Sequence, residues 1–156
     1  MKHPSQRFLL IKISIIAFIV GAISLPPYLE LISPFWLLSF FIYWLIYSSG
    51  KRIFSSAFIL GILLDVLQGG ILGQNALALV LSSAFILNVK KSFFVSNITT
   101  QQVYVFLGAL IYLTTFLLTQ LLIQDLDIKW LILLSPFLSA VLWPFIRFLL
   151  AKINNK

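Results

Sequence analysis

The stretch 61-GILLDVLQGGILGQNAL-77 carries one carboxylate, Asp65, inside an otherwise apolar run, followed by the glycine pair Gly69 and Gly70 and by a third glycine, Gly73. At helical spacing Gly61, Asp65 and Gly69 are four residues apart on one face with Gln68 beside them, while Ile62, Leu63, Leu64, Val66 and Leu67 cover most of the rest. This predicts a short helix with one small, polar face. Gly69, Gly70 and Gly73 either end it by adopting positive φ or let a partner backbone approach closely, and the turn is favoured because Gln74 and Asn75 precede the next apolar run.

The rest of the chain says what surrounds that helix. Of 156 residues, 61% are hydrophobic and only 10% charged, and the mean hydropathy is +1.08, far from the usage of a water-soluble domain. Apolar runs of transmembrane character span approximately 8–25, 34–48, 53–68, 75–89, 103–123 and 128–150, each bounded by polar, Gly or Pro residues. They predict an all-α, polytopic membrane protein, a compact six-helix bundle forming a single integral membrane domain over residues 1–156. The second and third runs are short for a hydrocarbon core of about 30 Å.

Six spans put both termini on one side, and the basic residues choose the side. With the N-terminus cytoplasmic, the inner flanks hold Lys2, Arg7, Lys12, Lys51, Arg52, Lys90, Lys91, Arg147, Lys152 and Lys156, and the outer flanks hold Lys129 alone. Glu30, Asp125 and Asp127 then fall outside and only Asp65 lies within a span. The net charge of +7 is accounted for by these flanks, so nucleic acid is not expected as a partner. Ala22 and Ser24 resemble a signal-peptide cleavage pattern, but Lys12 interrupts the apolar run before them and further spans follow, so the run reads as a first transmembrane helix.

Local signals refine the ends. Ser33-Pro34 reads as an N-cap and first helical position for the second helix. Pro136 and Pro144 predict kinks in the sixth run, the second next to Trp143. The stretch 90-KKSFFVSNITTQQ-102 reads as lying along the inner interface, with Lys90, Lys91, Phe93 and Phe94 as candidates for cytoplasmic contacts or lipid headgroups. The pairs Ala78/Ser82 and Ser135/Ser139 read as small-residue packing faces.

A carboxylate at the centre of a membrane helix costs about 2.5–3.5 kcal/mol on insertion scales. Three readings of Asp65 compete. It accepts hydrogen bonds from the glycine turn and fixes the break between two helices; it contacts another protein within the membrane; or it binds a solute in a cavity. Catalysis is not expected. His3 is the sole histidine and there is no cysteine, so no His-based triad, His/Cys metal site or disulfide can form, and no metal or cofactor is expected. Asp125 and Asp127 lie beside Lys129 in a loop, and no nucleophile stands next to a recognisable base. Thr114, Thr115 and Thr119 are expected to bond their own helix. Asn97-Ile98-Thr99 matches a glycosylation sequon on the side the topology puts inside.

Three segments together carry a resemblance: 33-SPFWLLSFFIYWLI-46, 61-GILLDVLQGGILGQNAL-77 and 140-AVLWPFIRFLLAKI-153 resemble the bacterial rod shape-determining protein MreD family over nearly the whole chain. The Asp65-to-Gly73 string is the most specific of them. After Pro34, where a polar residue is common in that family, this chain has Phe35. The resemblance implies a non-catalytic protein of the bacterial cytoplasmic (inner) membrane, part of the cell-elongation machinery, acting as an adaptor between the scaffold MreC and the peptidoglycan synthesis complex. It also implies MreB, RodA and a class B penicillin-binding transpeptidase as further partners. The implied fold is similar to the substrate-binding subunits of energy-coupling-factor transporters, which keeps a vitamin-type transporter subunit as the alternative. Sparse polar groups at differing depths favour the adaptor.

Overall fold

A computed structural model describes residues 6–21, 33–47, 52–123 and 130–154. The N-terminal tail with His3, the Ala22/Ser24 pattern, Lys51 and the loop with Asp125, Asp127 and Lys129 lie outside them. Six α-helices occur among the described residues: α1 (Gln6–Gly21), α2 (Trp36–Tyr47), α3 (Ile53–Gln68), α4 (Gln74–Val95), α5 (Ile98–Ile123) and α6 (Ser135–Asn154), with a 3₁₀ turn at Trp130–Leu134 leading into α6. They follow the order of the six apolar runs. Three segments are long and apolar enough on their own to cross a bilayer: Gln74–Val95, Ile98–Ile123 and Trp130–Lys152.

The organising element is α2. Apart from Ser39, its 12 residues are hydrophobic on every side, so it has no face to give to a polar surface, and Leu37 to Ile46 are all buried. Around it pack α1, α4, α6 and, more lightly, α5, while α3 packs chiefly on α4. The contacts described below alternate strictly in direction from α2 to α6. One end of the bundle therefore gathers the start of α2, the end of α3 and the starts of α4 and α6. The other gathers the end of α2, the start of α3, the end of α4, the start of α5 and the later part of α6.

Several helix ends differ from the sequence expectation, each for a local reason. The second helix starts at Trp36 rather than Pro34: the Phe35 carbonyl accepts from Ser39 N–H at 2.9 Å, and the Ser33 hydroxyl accepts from the Trp36 indole at 3.2 Å instead of capping backbone. The stretch expected along the interface is helical except at Ser96 and Asn97. Lysine is a good helix former, so Lys90 and Lys91 end the apolar run without ending the helix, and α5 begins in its polar Ile98–Gln102 segment. The sixth run is divided where Pro136 stands. The proline occupies the first turn of α6, where its missing N–H breaks no helical bond, and only Pro144 is interior.

Candidate functional site

The turn from α3 to α4 is built on two left-handed glycines. Gly69 caps α3 with φ 64° and donates its N–H to the Asp65 carbonyl, which also accepts from Gly70 N–H at 3.2 Å. Gly73 has φ 92° and N-caps α4. An L-residue in this region is disfavoured by about 1–2 kcal/mol, so both positions call for glycine, whereas Gly70 has an ordinary φ and open space where a Cβ would sit.

The Asp65 side chain, 1% exposed, closes the turn. One carboxylate oxygen accepts from Gly73 N–H at 2.8 Å. The other accepts from Asn75 N–H at 3.0 Å and from the Asn75 side-chain amide at 2.8 Å. That amide also donates to Gln68 Oε1 at 3.2 Å, and Asn75 Oδ1 accepts from the Tyr112 hydroxyl of α5. Buried polar groups without partners are costly. Here three donors converge on the carboxylate, and Asn75 passes the connection from α3 through α4 to α5.

Gly61 makes this reach possible. A Cβ at Gly61 would lie 2.2 Å from Ala76 Cα, 2.5 Å from Ala76 N and 2.9 Å from Asn75 C, so α3 and α4 touch backbone to backbone one turn below Asp65. The network extends to the other helices. The Tyr112 ring lies 4.8 Å from that of Phe35 at the start of α2. Phe35 N–H donates to Ser139 Oγ of α6 at 3.0 Å, and the Ser139 hydroxyl donates to the Ser135 carbonyl at 2.8 Å. Gln74 donates from its side chain to the Phe116 carbonyl at 2.9 Å. Five helices are tied together at this end. Beside the turn, Val66, Leu67 and Leu72 (the last 70% exposed) present apolar side chains outward.

The opposite end has a second hub that sequence reasoning missed, Gln101. Its amide donates to the carbonyls of Phe93 and Ser96, both at 3.1 Å. Its Oε1 accepts from Trp143 Nε1 at 3.3 Å and Arg147 Nη1 at 2.9 Å. The end of α4 is thus joined to α6. Trp143, read as part of a kink, is a fully buried core side chain. Of the contact candidates, Phe93 is corrected: it is 2% exposed and packs edge-on against Trp143 at 5.5 Å. Lys90 donates to the Leu45 carbonyl at 2.8 Å, a cation on the C-terminal carbonyls of α2 where the helix dipole favours it. Lys91 and Phe94 are exposed.

Thr114, Thr115 and Thr119 donate to carbonyls of their own helix, and Ser82 crosses to the Gly108 carbonyl at 2.8 Å. Among the described residues no group of three or more His, Cys, Asp or Glu gathers. A gap lined chiefly by apolar side chains, Ile13, Ala17, Leu37, Phe40, Trp44 and Leu60, with Ser14 beside them, is too narrow for a water molecule.

These features define an apolar, all-helical membrane protein whose scarce polar side chains fasten helix to helix. Residues 2–153 match the family of the rod shape-determining protein MreD, and the chain belongs to that family. It is similar to the rod shape-determining protein MreD of Haemophilus influenzae, with 28% identity over 153 residues, covering 97% of this chain and 93% of that protein. No solved structure matches it. The family is one of shape-determining membrane proteins and is not a known enzyme family.

Proposed function

We propose that this protein is a non-catalytic adaptor of the cell-elongation machinery in the cytoplasmic membrane. It crosses six times with both termini cytoplasmic and joins the scaffold MreC to the peptidoglycan synthesis complex. The observation that carries this reading is the Asp65 network. Asp65, Gln68, Asn75 and Tyr112 are the polar groups that a buried solute would need, and they are engaged with one another. Their product is a rigid rim with Val66, Leu67 and Leu72 exposed next to it, a surface that suits a partner's transmembrane segment better than a vitamin-sized ligand.

The charge distribution supports the orientation. Arg52, Lys90, Lys91, Arg147 and Lys152 all belong to the end away from Asp65, which the positive-inside rule makes cytoplasmic. The rim at residues 65–73 then faces the outer leaflet. Lys91 and Phe94 are the exposed side chains placed to meet a cytoplasmic partner such as MreB, while RodA and its transpeptidase complete the assembly. A kinship of the bundle with energy-coupling-factor subunits belongs to this reading as shared architecture rather than shared ligand.

The test is recovery of co-expressed MreC on the tagged protein at matched membrane insertion. Wild type is expected to retain MreC. Asp65→Ala, which releases the rim, and the surface pair Leu67→Ala/Leu72→Ala, which leaves the network intact, are each expected to lose most of it. Wild-type recovery with both variants would remove this surface from the assembly.

A further inference from the structure

The hydrogen bonds at the α3–α4 turn run in one direction, and that direction fixes what the rim shows to its surroundings. A carboxylate only accepts, so the Asn75 side-chain group 2.8 Å from Asp65 Oδ1 is its NH2. Asn75 Oδ1 then faces α5 and accepts from the Tyr112 hydroxyl. The second N–H of Asn75 reaches Gln68 at 3.2 Å, so the Gln68 atom that meets it is the oxygen. Neither amide is free to flip, because a flip would set donor against donor or acceptor against acceptor. With its oxygen turned to Asn75, Gln68 directs its own NH2 away from the network, and its side chain is exposed.

The neighbours of that NH2 are of a different kind. From Gly61 to Leu72 the exposed side chains are apolar except that of Gln68, and Val66, Leu67 and Leu72 flank it. Apolar contacts alone have little direction and tolerate many partners and registers, whereas one polar group in such a surface sets both. A segment that covers the rim buries the Gln68 N–H groups. If it is apolar throughout it leaves them unpaired, which is costly, and if it carries an oxygen at that level it gains a bond. We propose that Gln68 selects the transmembrane segment that seats on the rim by donating to a side-chain oxygen on it, a hydroxyl or an amide carbonyl. This rests on the adaptor reading, to which it adds the chemistry of the partner.

The affinity of the full-length protein for full-length MreC in lipid nanodiscs tests it, measured across pH and expressed relative to wild type at each pH. A protonated glutamate has one oxygen that accepts and one O–H that donates, so it reproduces the glutamine at position 68, whereas an ionised one only accepts. Gln68→Glu is therefore expected to match wild type at acidic pH and to bind about tenfold more weakly at alkaline pH. Gln68→Met, uncharged and of similar length, is expected to lose about threefold at every pH. Wild-type affinity of Gln68→Glu at all pH values would overturn the proposal, since water or a headgroup would then satisfy the amide. If ionised Gln68→Glu unfolds at a lower temperature than wild type in the absence of MreC, Gln68→Met decides, and an unchanged affinity there overturns the donor. Loss of MreC by Leu67→Ala/Leu72→Ala with wild-type binding by both Gln68 variants would remove the donor and leave the rim. A wild-type protein that does not bind MreC would remove the adaptor reading and the donor with it.

Discussion

Replacing Gly61 by alanine tests whether α3 and α4 are in backbone contact, because the added methyl has only main chain to meet. Carbon atoms in contact sit about 3.5–4.0 Å apart, and the new Cβ would begin 2.2 Å from Ala76 Cα. The helices must part by about 1.3 Å or more at that point. The Asn75 N–H to Asp65 bond, 3.0 Å in the wild type, then stretches beyond the usual limit of about 3.2 Å. Overpacking costs about 1–3 kcal/mol and each weakened hydrogen bond about 0.5–1.5 kcal/mol, so a loss of about 3 kcal/mol is expected. For a chain of this size that corresponds to about 6–12 °C in Tm. The assay is thermal unfolding in detergent, read by the loss of the monodisperse species. Gly70→Ala, with nothing within 4 Å of its Cβ, is the matched control and should shift Tm by no more than about 2 °C. Gly73→Ala, strained at φ 92° but sterically free, should fall between them. A Gly61→Ala protein as stable as Gly70→Ala would refute the close approach and the geometry of the carboxylate that depends on it.

Other expectations follow from the two hubs. Tyr112→Phe leaves Asn75 Oδ1 without its buried donor and should destabilise by about 1–3 kcal/mol, measured by the same unfolding assay. Gln101→Leu removes the acceptor of Trp143 and Arg147 and the donor to Phe93 and Ser96. Hydrogen exchange should accelerate at the α4–α5 junction while the Asp65 end keeps its protection.

Much of the helix order was legible because the apolar runs are local, periodic signals. The small face at Gly61 and Asp65 and the turn glycines were legible for the same reason, and two of the three glycines adopt positive φ. What the sequence concealed is partnership at a distance. Tyr112 is 37 residues from Asn75 and Arg147 is 46 from Gln101, and no spacing rule links such pairs. The one available signal was chemical: a glutamine at the start of α5 and an asparagine at the start of α4 are polar side chains on faces that must be buried, and each therefore requires partners. Helix ends were misjudged for a related reason. Hydropathy marks where apolar surface stops, but Lys90 remains helical with its ammonium on the Leu45 carbonyl, and Phe93 beyond it still belongs to the core.

Site-specific photo-cross-linking in bacterial membranes bears most directly on the proposed role of the rim. A photoreactive residue at Leu72, exposed in the α3–α4 turn, is compared with one at Phe148, exposed on α6 near the opposite end. The expected result is an adduct with MreC from position 72 and none from position 148. Adducts of equal yield from both, or none from position 72 in cells where the protein is inserted, would contradict a partner surface built on the Asp65 turn.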